Sequence, residues 1–415
     1  MSEILVLGAG MVGVSTALAL QEKGHAVTLA DRREPGRETS FGNAGIIQVE
    51  AAEPYAMPRA MGELLRYALG RSNDLVWSPS GVAGMAPALW RYWLASAPSR
   101  RAALGAVYAQ MTARSTADHA PLIAASGSEN LIARDGLALV FRHAAGFEAE
   151  AANAARLAET YGIESRVLDG AEWLREEPAL KAAPAGAVHY TKSWSVADPG
   201  ALTAAYADLF VRRGGRFVQV DADSLSATPS GWRVRGPEGP ISAARAVLCL
   251  GPWTGALLRR FGLRVPMVLK RGYHAHYDAP QRPRRPYLDA DNGVVLTPMR
   301  DGLRMATGAA LVPQGAPADP RQLRRAERQV ADLIELGPRV EAPQWFGTRP
   351  CLPGMLPMVG AVPGQTGLWV NFGHGHQGLT LGPTTAGLLA QAMAGETSPL
   401  HDALAPATQL KRTIR

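Results

Sequence analysis

Cysteine is almost absent from this 415-residue chain, which contains only Cys249 and Cys351. Two cysteines provide neither a disulfide framework nor a set of metal ligands. No stretch approaches the roughly 18 consecutive apolar residues of a membrane-spanning helix. The first predicted strand starts at Ile4, which leaves no room for a secretory signal. These absences predict a cytoplasmic protein that binds no metal.

Lysine is also scarce, since it supplies only five of the 43 basic residues. The formal net charge of +7 is spread over scattered arginine pairs, without a long basic run or a basic helix. This pattern predicts a diffuse basic surface and no nucleic-acid partner. An aromatic-rich stretch at residues 89–94 leaves two interpretations open: a buried or interdomain helix, or peripheral contact with the cytoplasmic face of the inner membrane.

The first 31 residues carry the most informative pattern. Residues 4–7 form an apolar run typical of a strand that is buried on both faces. The segment Gly8-Ala9-Gly10-Met11-Val12-Gly13 follows, then a helical pattern, and then a second strand that ends at Asp31. The glycines suit a tight turn, a close approach to a pyrophosphate and helix–strand packing, and the acid suits a ribose. The pattern predicts a dinucleotide site and does not separate FAD from NAD; a glycine-rich turn without cofactor is the alternative.

A second glycine pattern, residues 373–378, follows a predicted strand at 368–372. A second nucleotide site would need another strand with an acid at its end. Only about 20 residues remain beyond the following helix, and Pro399 and Pro406 interrupt them. We therefore expect no second dinucleotide unit, and we expect the helix to begin at Gly382-Pro383.

The segment Ser40-Phe41-Gly42-Asn43-Ala44-Gly45 brings a small-residue loop to the end of the second strand. With the first glycine pattern, it resembles the FAD-dependent D-amino acid dehydrogenase group of the D-amino acid oxidase, glycine oxidase and sarcosine oxidase superfamily. The resemblance covers nearly the whole chain. It implies FAD as the cofactor and an α/β fold, α+β overall, with a Rossmann-like FAD-binding domain and a discontinuous substrate domain built on an antiparallel sheet.

The expected domains alternate along the chain. Residues 1–50, 196–262 and 345–415 are assigned to the FAD-binding domain, and residues 51–195 and 263–344 to the substrate domain. We also expect several individual elements, which are strands at 189–194, 265–269 and 274–277 and a helix at 320–336.

The resemblance also implies which residues contact the cofactor. The second glycine pattern is expected against the flavin ring, with the following helix directed at the N1–C2=O edge, where reduced flavin carries negative charge. The expected cofactor contacts are Gly8, Gly10, Met11, Val12, Gly13, Asp31, Arg32, Ser40, Asn43, Ala44, Gly45, Gly251, Gly375, Gln377, Gly378, Leu379 and Thr380.

Gly347-Thr348-Arg349-Pro350 resembles the family's Gly-x-Arg-Pro segment, whose arginine holds the substrate carboxylate. A planar guanidinium suits a planar carboxylate, so the resemblance assigns this role to Arg349. The chain departs from the family pattern at Gly354, where the family commonly has aspartate.

Three further catalytic candidates are less specific. Tyr273 is expected either to reach the substrate or to pack across strands. Tyr55 lies at a distance from the 43–45 loop where the family has an active-site residue. His374 is expected either to bind flavin or substrate or to pack, and His376 is ranked below it. A covalent flavin link through Cys351 is considered, with a free buried thiol as the default.

The expected activity is oxidative deamination of a D-amino acid or a cyclic imino acid by hydride transfer to flavin N5, with a quinone, an electron carrier or oxygen as the acceptor. The alternatives are a sarcosine- or glycine-type amine oxidase that uses oxygen, and a flavin-carrying subunit of a heteromeric dehydrogenase. A related flavin domain occurs in a tRNA-modifying enzyme, but this chain has no room for that enzyme's methyltransferase domain.

Overall fold

The computed structural model describes residues 2–70 and 72–414. The strands of this part of the chain are β1 (Glu3–Leu7), β2 (Ala26–Asp31), β3 (Ile46–Ile47), β4 (Leu75–Trp77), β5 (Ile132–Ala133), β6 (Leu137–Phe141), β7 (Ser165–Asp169), β8 (Gly186–Tyr190), β9 (Trp194–Val196), β10 (Arg216–Gln219), β11 (Ser226–Thr228), β12 (Gly231–Gly236), β13 (Gly239–Ala243), β14 (Arg245–Leu248), β15 (Val268–Tyr277), β16 (Tyr287–Asp289), β17 (Val294–Met299), β18 (Gly302–Ala306), β19 (Ala309–Leu311), β20 (Trp345–Cys351), β21 (Met358–Ala361) and β22 (Leu368–Phe372).

The α-helices of the same part are α1 (Met11–Glu22), α2 (Met61–Ala68), α3 (Pro79–Ala95), α4 (Pro98–Thr112), α5 (Ser115–Ser126), α6 (Ala144–Tyr161), α7 (Gly170–Glu176), α8 (Pro199–Arg212), α9 (Thr254–Arg260), α10 (Arg321–Val330), α11 (Gly378–Met393), α12 (Pro399–Leu404) and α13 (Pro406–Ile414). Short 3₁₀ turns lie at Glu129–Leu131, Ala222–Ser224 and Gly251–Trp253.

The sheet of the expected FAD-binding domain, here called the nucleotide sheet, has the strand order β10-β2-β1-β14-β22-β21. Five of its strands are parallel, and β21 is added antiparallel at the edge beside β22. The central strand β1 is apolar and buried on both faces from Ile4 to Leu7, because helices cover one face and the β11–β13 meander covers the other. This arrangement confirms the Rossmann-like domain.

The substrate sheet contains ten strands and is mainly antiparallel. Its long strand β15 pairs antiparallel with β18, β19 and β20. The sequence predicted two strands, at 265–269 and 274–277, where the structure has this one continuous strand. Gly272 does not break it, because pairing with β20 runs through that position to Gly347.

Two segments lie on the other side of the expected domain boundaries. Residues 345–351 were assigned to the FAD-binding domain, but they form β20 and pair with β15 in the substrate sheet. Helices α4 and α5 were assigned to the substrate domain, but Tyr108, Met111 and Ile123 share an apolar core with Val14 of α1. Both differences arise from long-range packing that the local pattern does not record.

Two local predictions need correction. The expected strand at 189–194 is two strands, β8 and β9, because β8 joins the substrate sheet whereas β9 pairs with β3 and β5 in a small separate sheet. The expected helix at 320–336 ends at Val330, and Leu180 and Ile334 form an antiparallel bridge beyond its end.

Helix α11 begins at Gly378, four residues before the expected start at Gly382. The sequence placed Pro383 in the first turn, where a missing N–H costs nothing. Within the helix, Pro383 leaves the carbonyl of Leu379 without its usual partner four residues later. The His119 side chain replaces that partner, with Nε2 lying 2.8 Å from the Leu379 oxygen. A buried side chain from α5 therefore permits the longer helix.

The aromatic-rich stretch lies on α3 and is only partly buried. Tyr92 is buried, but Trp90 is 60% exposed and stacks on Trp93 with ring centroids 5.3 Å apart. The neighbouring α2 buries none of its residues. Within residues 2–70 and 72–414, no helix combines the length and the apolar character needed to cross a bilayer.

Candidate active site

A cavity of about 580 Å³ lies between the two sheets. One end, called the nucleotide end below, is formed by the carboxyl ends of the nucleotide-sheet strands. The other end, called the substrate end after the expectation from the sequence, is formed by β15 and β20. Ligands of open α/β sheets bind beyond the carboxyl ends of the strands. The residues discussed as candidates from the sequence that line this cavity are Gly8, Gly10, Met11, Val12, Asp31, Arg32, Ser40, Asn43, Ala44, Tyr55, Gly251, Tyr273, Arg349, Cys351, His374, Gly375, His376, Gly378 and Leu379.

The N-terminus of α1 opens into the nucleotide end. Gly10 is its N-cap residue and offers no side-chain cap. The first amide, Met11 N–H, donates to Ser40 Oγ at 2.9 Å. Asp31 Oδ2 accepts a hydrogen bond from Ala9 N–H at 2.7 Å, so this carboxylate both shapes the glycine turn and borders the cavity. Amides at a helix N-terminus beside a carboxylate suit a pyrophosphate next to a ribose.

Gly13 contributes in a different way from the other fingerprint residues. A Cβ atom at Gly13 would lie 1.7 Å from the carbonyl oxygen of Gly8. Gly13 does not line the cavity, so its role is the close packing of α1 against the turn. Gly45 also does not line the cavity. Its φ is +72°, and an added Cβ would lie 2.5 Å from the Val196 carbonyl oxygen, so the backbone at this position requires glycine.

The backbone of the loop at residues 40–45 is held by a chain of hydrogen-bonded polar side chains that the sequence did not indicate. Arg304 Nη1 donates to the carbonyl oxygens of Phe41 and Asn43 at 3.1 and 2.5 Å. Arg304 Nε donates to His276 Nε2 at 2.9 Å, and His276 Nδ1 lies 3.0 Å from Glu341. His274, His276 and Glu341 could approach one ion, but the guanidinium of Arg304 would repel a metal at this place.

Gln377 and Thr380 lie outside the lining and act through Gln48, which does line it. Gln377 Nε2 donates to Gln48 Oε1 at 2.7 Å. Thr380 Oγ1 accepts from the Gln48 backbone N–H at 3.2 Å. Both side chains therefore fix the cavity wall.

Arg349 reaches the substrate end of the cavity from β20. Its Nη1 and Nη2 donate to the carbonyl oxygens of Gly308 and Thr307 at 2.8 and 3.1 Å. The guanidinium lies against Gly272, where an added Cβ would be 2.5 Å from Nη2. Among the described residues no carboxylate forms an ion pair with Arg349, and the arginine keeps donors for a ligand.

Tyr273 contributes little to the cavity through its hydroxyl group. The side chain is 3% exposed, and its hydroxyl accepts from Asp319 N–H at 3.0 Å. Its ring lies 5.8 Å from that of Phe346, its partner across the β15–β20 pair. This geometry favours the cross-strand packing alternative.

Both histidines of the second glycine pattern line the cavity, and they have different contacts. His374 Nε2 lies 3.0 Å from Thr385 Oγ1, and burial lowers the pKa of His374 to about 3. The ring of His376 instead makes an edge contact with Tyr55, with centroids 4.7 Å apart. Burial, then the charges of Arg349 and Lys270, lower the pKa of His376 to about 3. His376 thus lies beside Tyr55, whereas His374 contacts Thr385 of α11.

Lys270 is the cavity residue that sequence reasoning missed. It lines the substrate end and lies directly opposite Arg349 in the β15–β20 register. Period-two alternation places Lys270 on the opposite face of β15 from Tyr273, so the expectation that Tyr273 reaches the substrate directed attention away from Lys270. Cys351 also lines the cavity, and burial raises the pKa of its thiol, which keeps it neutral.

The fold and the cavity define a class of protein. A glycine turn, a helix N-terminus that opens into the cavity and an acid at the strand end fit a dinucleotide, and the N-terminus of α11 borders the same cavity. The model of the FAD dependent oxidoreductase (DAO) family matches residues 3–392, and the chain belongs to this family. It is an FAD-dependent oxidoreductase, which confirms the cofactor and the superfamily expected from the sequence.

Individual relatives are similar along nearly their whole length. The chain is 31% identical to D-amino acid dehydrogenase 2 of Ralstonia nicotianae, covering 94% of this chain and 96% of the relative. It is 28% identical to a D-amino-acid oxidase of Bradyrhizobium diazoefficiens, over 95% of each. Its fold is similar to that of glycine oxidase from Geobacillus kaustophilus, with a TM-score of 0.75 at 20% identity and 98% coverage of both chains.

Proposed function

We propose that the protein is an FAD-dependent amino acid oxidoreductase that deaminates a D-amino acid or oxidises a cyclic imino acid. The observation that carries this proposal is Arg349, a guanidinium on the cavity wall with backbone partners and without a carboxylate partner among the described residues. An uncompensated cation inside a cavity favours an anionic ligand. The names of the relatives, dehydrogenases and an oxidase of D-amino acids, support this substrate class.

The residues of the chain would then orient the substrate. Arg349 binds the α-carboxylate through a charge-assisted hydrogen bond, and the backbone of Gly308 and Thr307 fixes the guanidinium. When bound, FAD would supply a hydride acceptor for the substrate α-carbon, and the imine formed from the substrate would be hydrolysed by water where the nitrogen is not in a ring. The N-terminus of α11 would stabilise the negative charge of the reduced ring. Tyr55, half exposed beside His376, is proposed to close the substrate end.

The electron acceptor is proposed to be a quinone or another carrier reached from the cytoplasmic face of a membrane. The supporting observation is a row of exposed apolar side chains along α2 and at its end, which are Met61 (77% exposed), Leu65 (60%) and Leu69 (56%), together with the exposed Trp90 (60%) on α3. Exposed apolar groups close together mark interaction surfaces. An oxygen-dependent amine oxidase and a subunit of a heteromeric dehydrogenase remain the competing proposals.

The test is anaerobic mixing of the FAD-loaded protein with D-alanine, D-proline, sarcosine and glycine while flavin absorbance is followed. We expect a D-amino acid or D-proline to bleach the flavin, faster at higher pH as the substrate amine loses its proton, and an α-deuterated substrate to react more slowly. Reoxidation by a soluble quinone analogue but slowly by oxygen would indicate a dehydrogenase. If none of these substrates bleached bound flavin, the amino acid proposal would fail and the subunit proposal would remain.

A further inference from the structure

The substrate end of the cavity presents two cations side by side. Lys270 of β15 and Arg349 of β20 are directly paired in the antiparallel register, and both line the cavity. Like charges at directly opposite positions of two strands are destabilising. A binding site retains such a pair where a ligand supplies the compensating charge.

Neither cation is neutralised by a carboxylate of the described residues. Among the described residues, no carboxylate forms an ion pair with Lys270 or with Arg349, whose other contacts are backbone carbonyls. Asp74, one of the carboxylates that line the cavity, accepts from the hydroxyl of Ser72 at 2.7 Å and lies 3.9 Å from Arg66. The positive charge of the substrate end therefore has no counter-ion within the described chain.

The two cations are anchored on different elements. Lys270 Nζ lies 3.1 Å from Tyr92 Oη and 4.4 Å from the centre of that ring on α3. The Tyr92 hydroxyl in turn donates to the carbonyl oxygen of Tyr55, so it remains a neutral phenol. Arg349 is drawn the other way, to the backbone at residues 307–308. One contact uses one of the three ammonium donors of Lys270 and leaves two for a ligand.

We propose that Lys270 binds a second carboxylate, carried on the side chain of the substrate, so that the preferred substrates are acidic amino acids of the glutamate and aspartate type. This inference rests on the proposed function, because Arg349 is taken to hold the α-carboxylate. Two adjacent cations with different anchors suit two carboxylates of one molecule, whereas a single carboxylate needs only the guanidinium. Lys270 is thus assigned as a specificity-determining residue.

The test compares isosteric substrates that differ in one charge. For the FAD-loaded wild type, we expect a higher kcat/KM for D-glutamate than for D-glutamine, and likewise for D-aspartate over D-asparagine. Lys270→Met should lower kcat/KM for D-glutamate by about thirtyfold, as loss of a hydrogen bond to a charged group predicts, while D-glutamine changes little. Lys270→Arg should restore part of the preference. Lys192→Met is the matched control, since Lys192 is exposed and paired with Glu164.

A binding measurement that needs no turnover completes the design. Glutarate, a dicarboxylate that cannot be deaminated, should raise the melting temperature of the wild type more than its mono-amide does, and Lys270→Met should remove the difference. Equal losses for D-glutamate and D-glutamine in Lys270→Met would overturn the inference, since Lys270 would then serve the shared α-carboxylate. Bleaching by neutral D-amino acids without any acidic preference would also overturn it and leave the proposed function intact, whereas no bleaching by any amino acid would refute both.

Discussion

The same six-residue glycine pattern occurs twice in this molecule, at residues 8–13 and 373–378, and the two copies have different jobs. Each follows a strand of the nucleotide sheet, β1 or β22, and each leads into a helix, and the two helices pack against each other. The first copy borders the nucleotide end of the cavity. The second copy carries His376, which contacts Tyr55 at the substrate end.

The glycines of the two copies meet different surroundings. Gly8 and Gly373 both have positive φ, at +109° and +89°, so both turns require glycine at their first position. The third glycines of the two patterns differ. A Cβ at Gly13 would collide with the Gly8 carbonyl, whereas a Cβ at Gly378 would meet Val12 at an ordinary 3.8 Å. A sequence pattern thus identifies a turn, but only the packing shows which glycine is required.

The largest expected effect is the contrast between Gly13→Ala and Gly378→Ala. Gly13→Ala forces α1 away from the turn and should destabilise the fold by about 3 kcal/mol or more, with loss of bound FAD. Gly378→Ala should fold normally, because its new methyl group has room. Melting temperature and flavin content of the purified pair measure this, and equal stability of the two variants would remove the distinction between the copies.

The next effect concerns the substrate end. Arg349→Met removes the proposed carboxylate anchor, and we expect KM to rise about a hundredfold, as loss of a charge-assisted pair predicts, while flavin content stays normal. Arg349→Lys is the matched control, since it keeps the charge and loses the fork. We expect it to recover only part of the affinity. Steady-state kinetics that are unchanged in Arg349→Met would exclude the anchor.

The nucleotide half could be predicted from the sequence, because local patterns carry it. Turn glycines, an apolar strand and the acid at Asp31 all lie within one short stretch, and the structure places them at one cavity end. The substrate half depends on pairing between distant segments. The boundary at residue 345 was wrong because β20 joins β15 over a separation that no local pattern records.

In the candidate site, too, local motifs could be identified from the sequence, whereas contacts between distant segments could not. Arg349 was found through a motif, whereas the Arg304–His276–Glu341 chain beneath the loop at 40–45 had no sequence signal, since its three members come from separate strands and loops. The start of α11 was missed because its longer form depends on His119, which lies far away in the chain.

His119 is expected to make the folding stability depend on pH, with an effect of intermediate size. Burial lowers the pKa of His119 to about 4, while its value in the unfolded chain is near 6.5. Between these values the unfolded state binds the extra proton, so stability rises with pH up to about 6.5 and is lost as pH falls. As pH falls from 6.5 to 5, His119 should lower the free energy of unfolding by about 2 kcal/mol.

His119→Gln measures this contribution, because glutamine can still donate to the Leu379 carbonyl and does not titrate. We expect lower overall stability than the wild type, with a flatter dependence of the denaturation midpoint on pH below 6.5. The other buried histidines contribute equally to both proteins and cancel in the difference. Identical slopes for the two proteins would show that His119 does not titrate on unfolding.

The smallest expected effect tests how Arg349 is held against β15. At Gly272 an added methyl group would lie 2.5 Å from Nη2 of Arg349, which is the movable end of a side chain. Gly272→Ala should therefore displace the guanidinium without unfolding the sheet, and we expect KM to rise about tenfold, the equivalent of about 1.4 kcal/mol. Gly255→Ala is the matched control, since its Cβ would meet only Met267 at 3.4 Å. In the double variant Gly272→Ala, Arg349→Met the two KM effects should not add, because residues that act through one contact are coupled. Additive effects would mean that Gly272 matters through the strand itself and not through the position of the arginine.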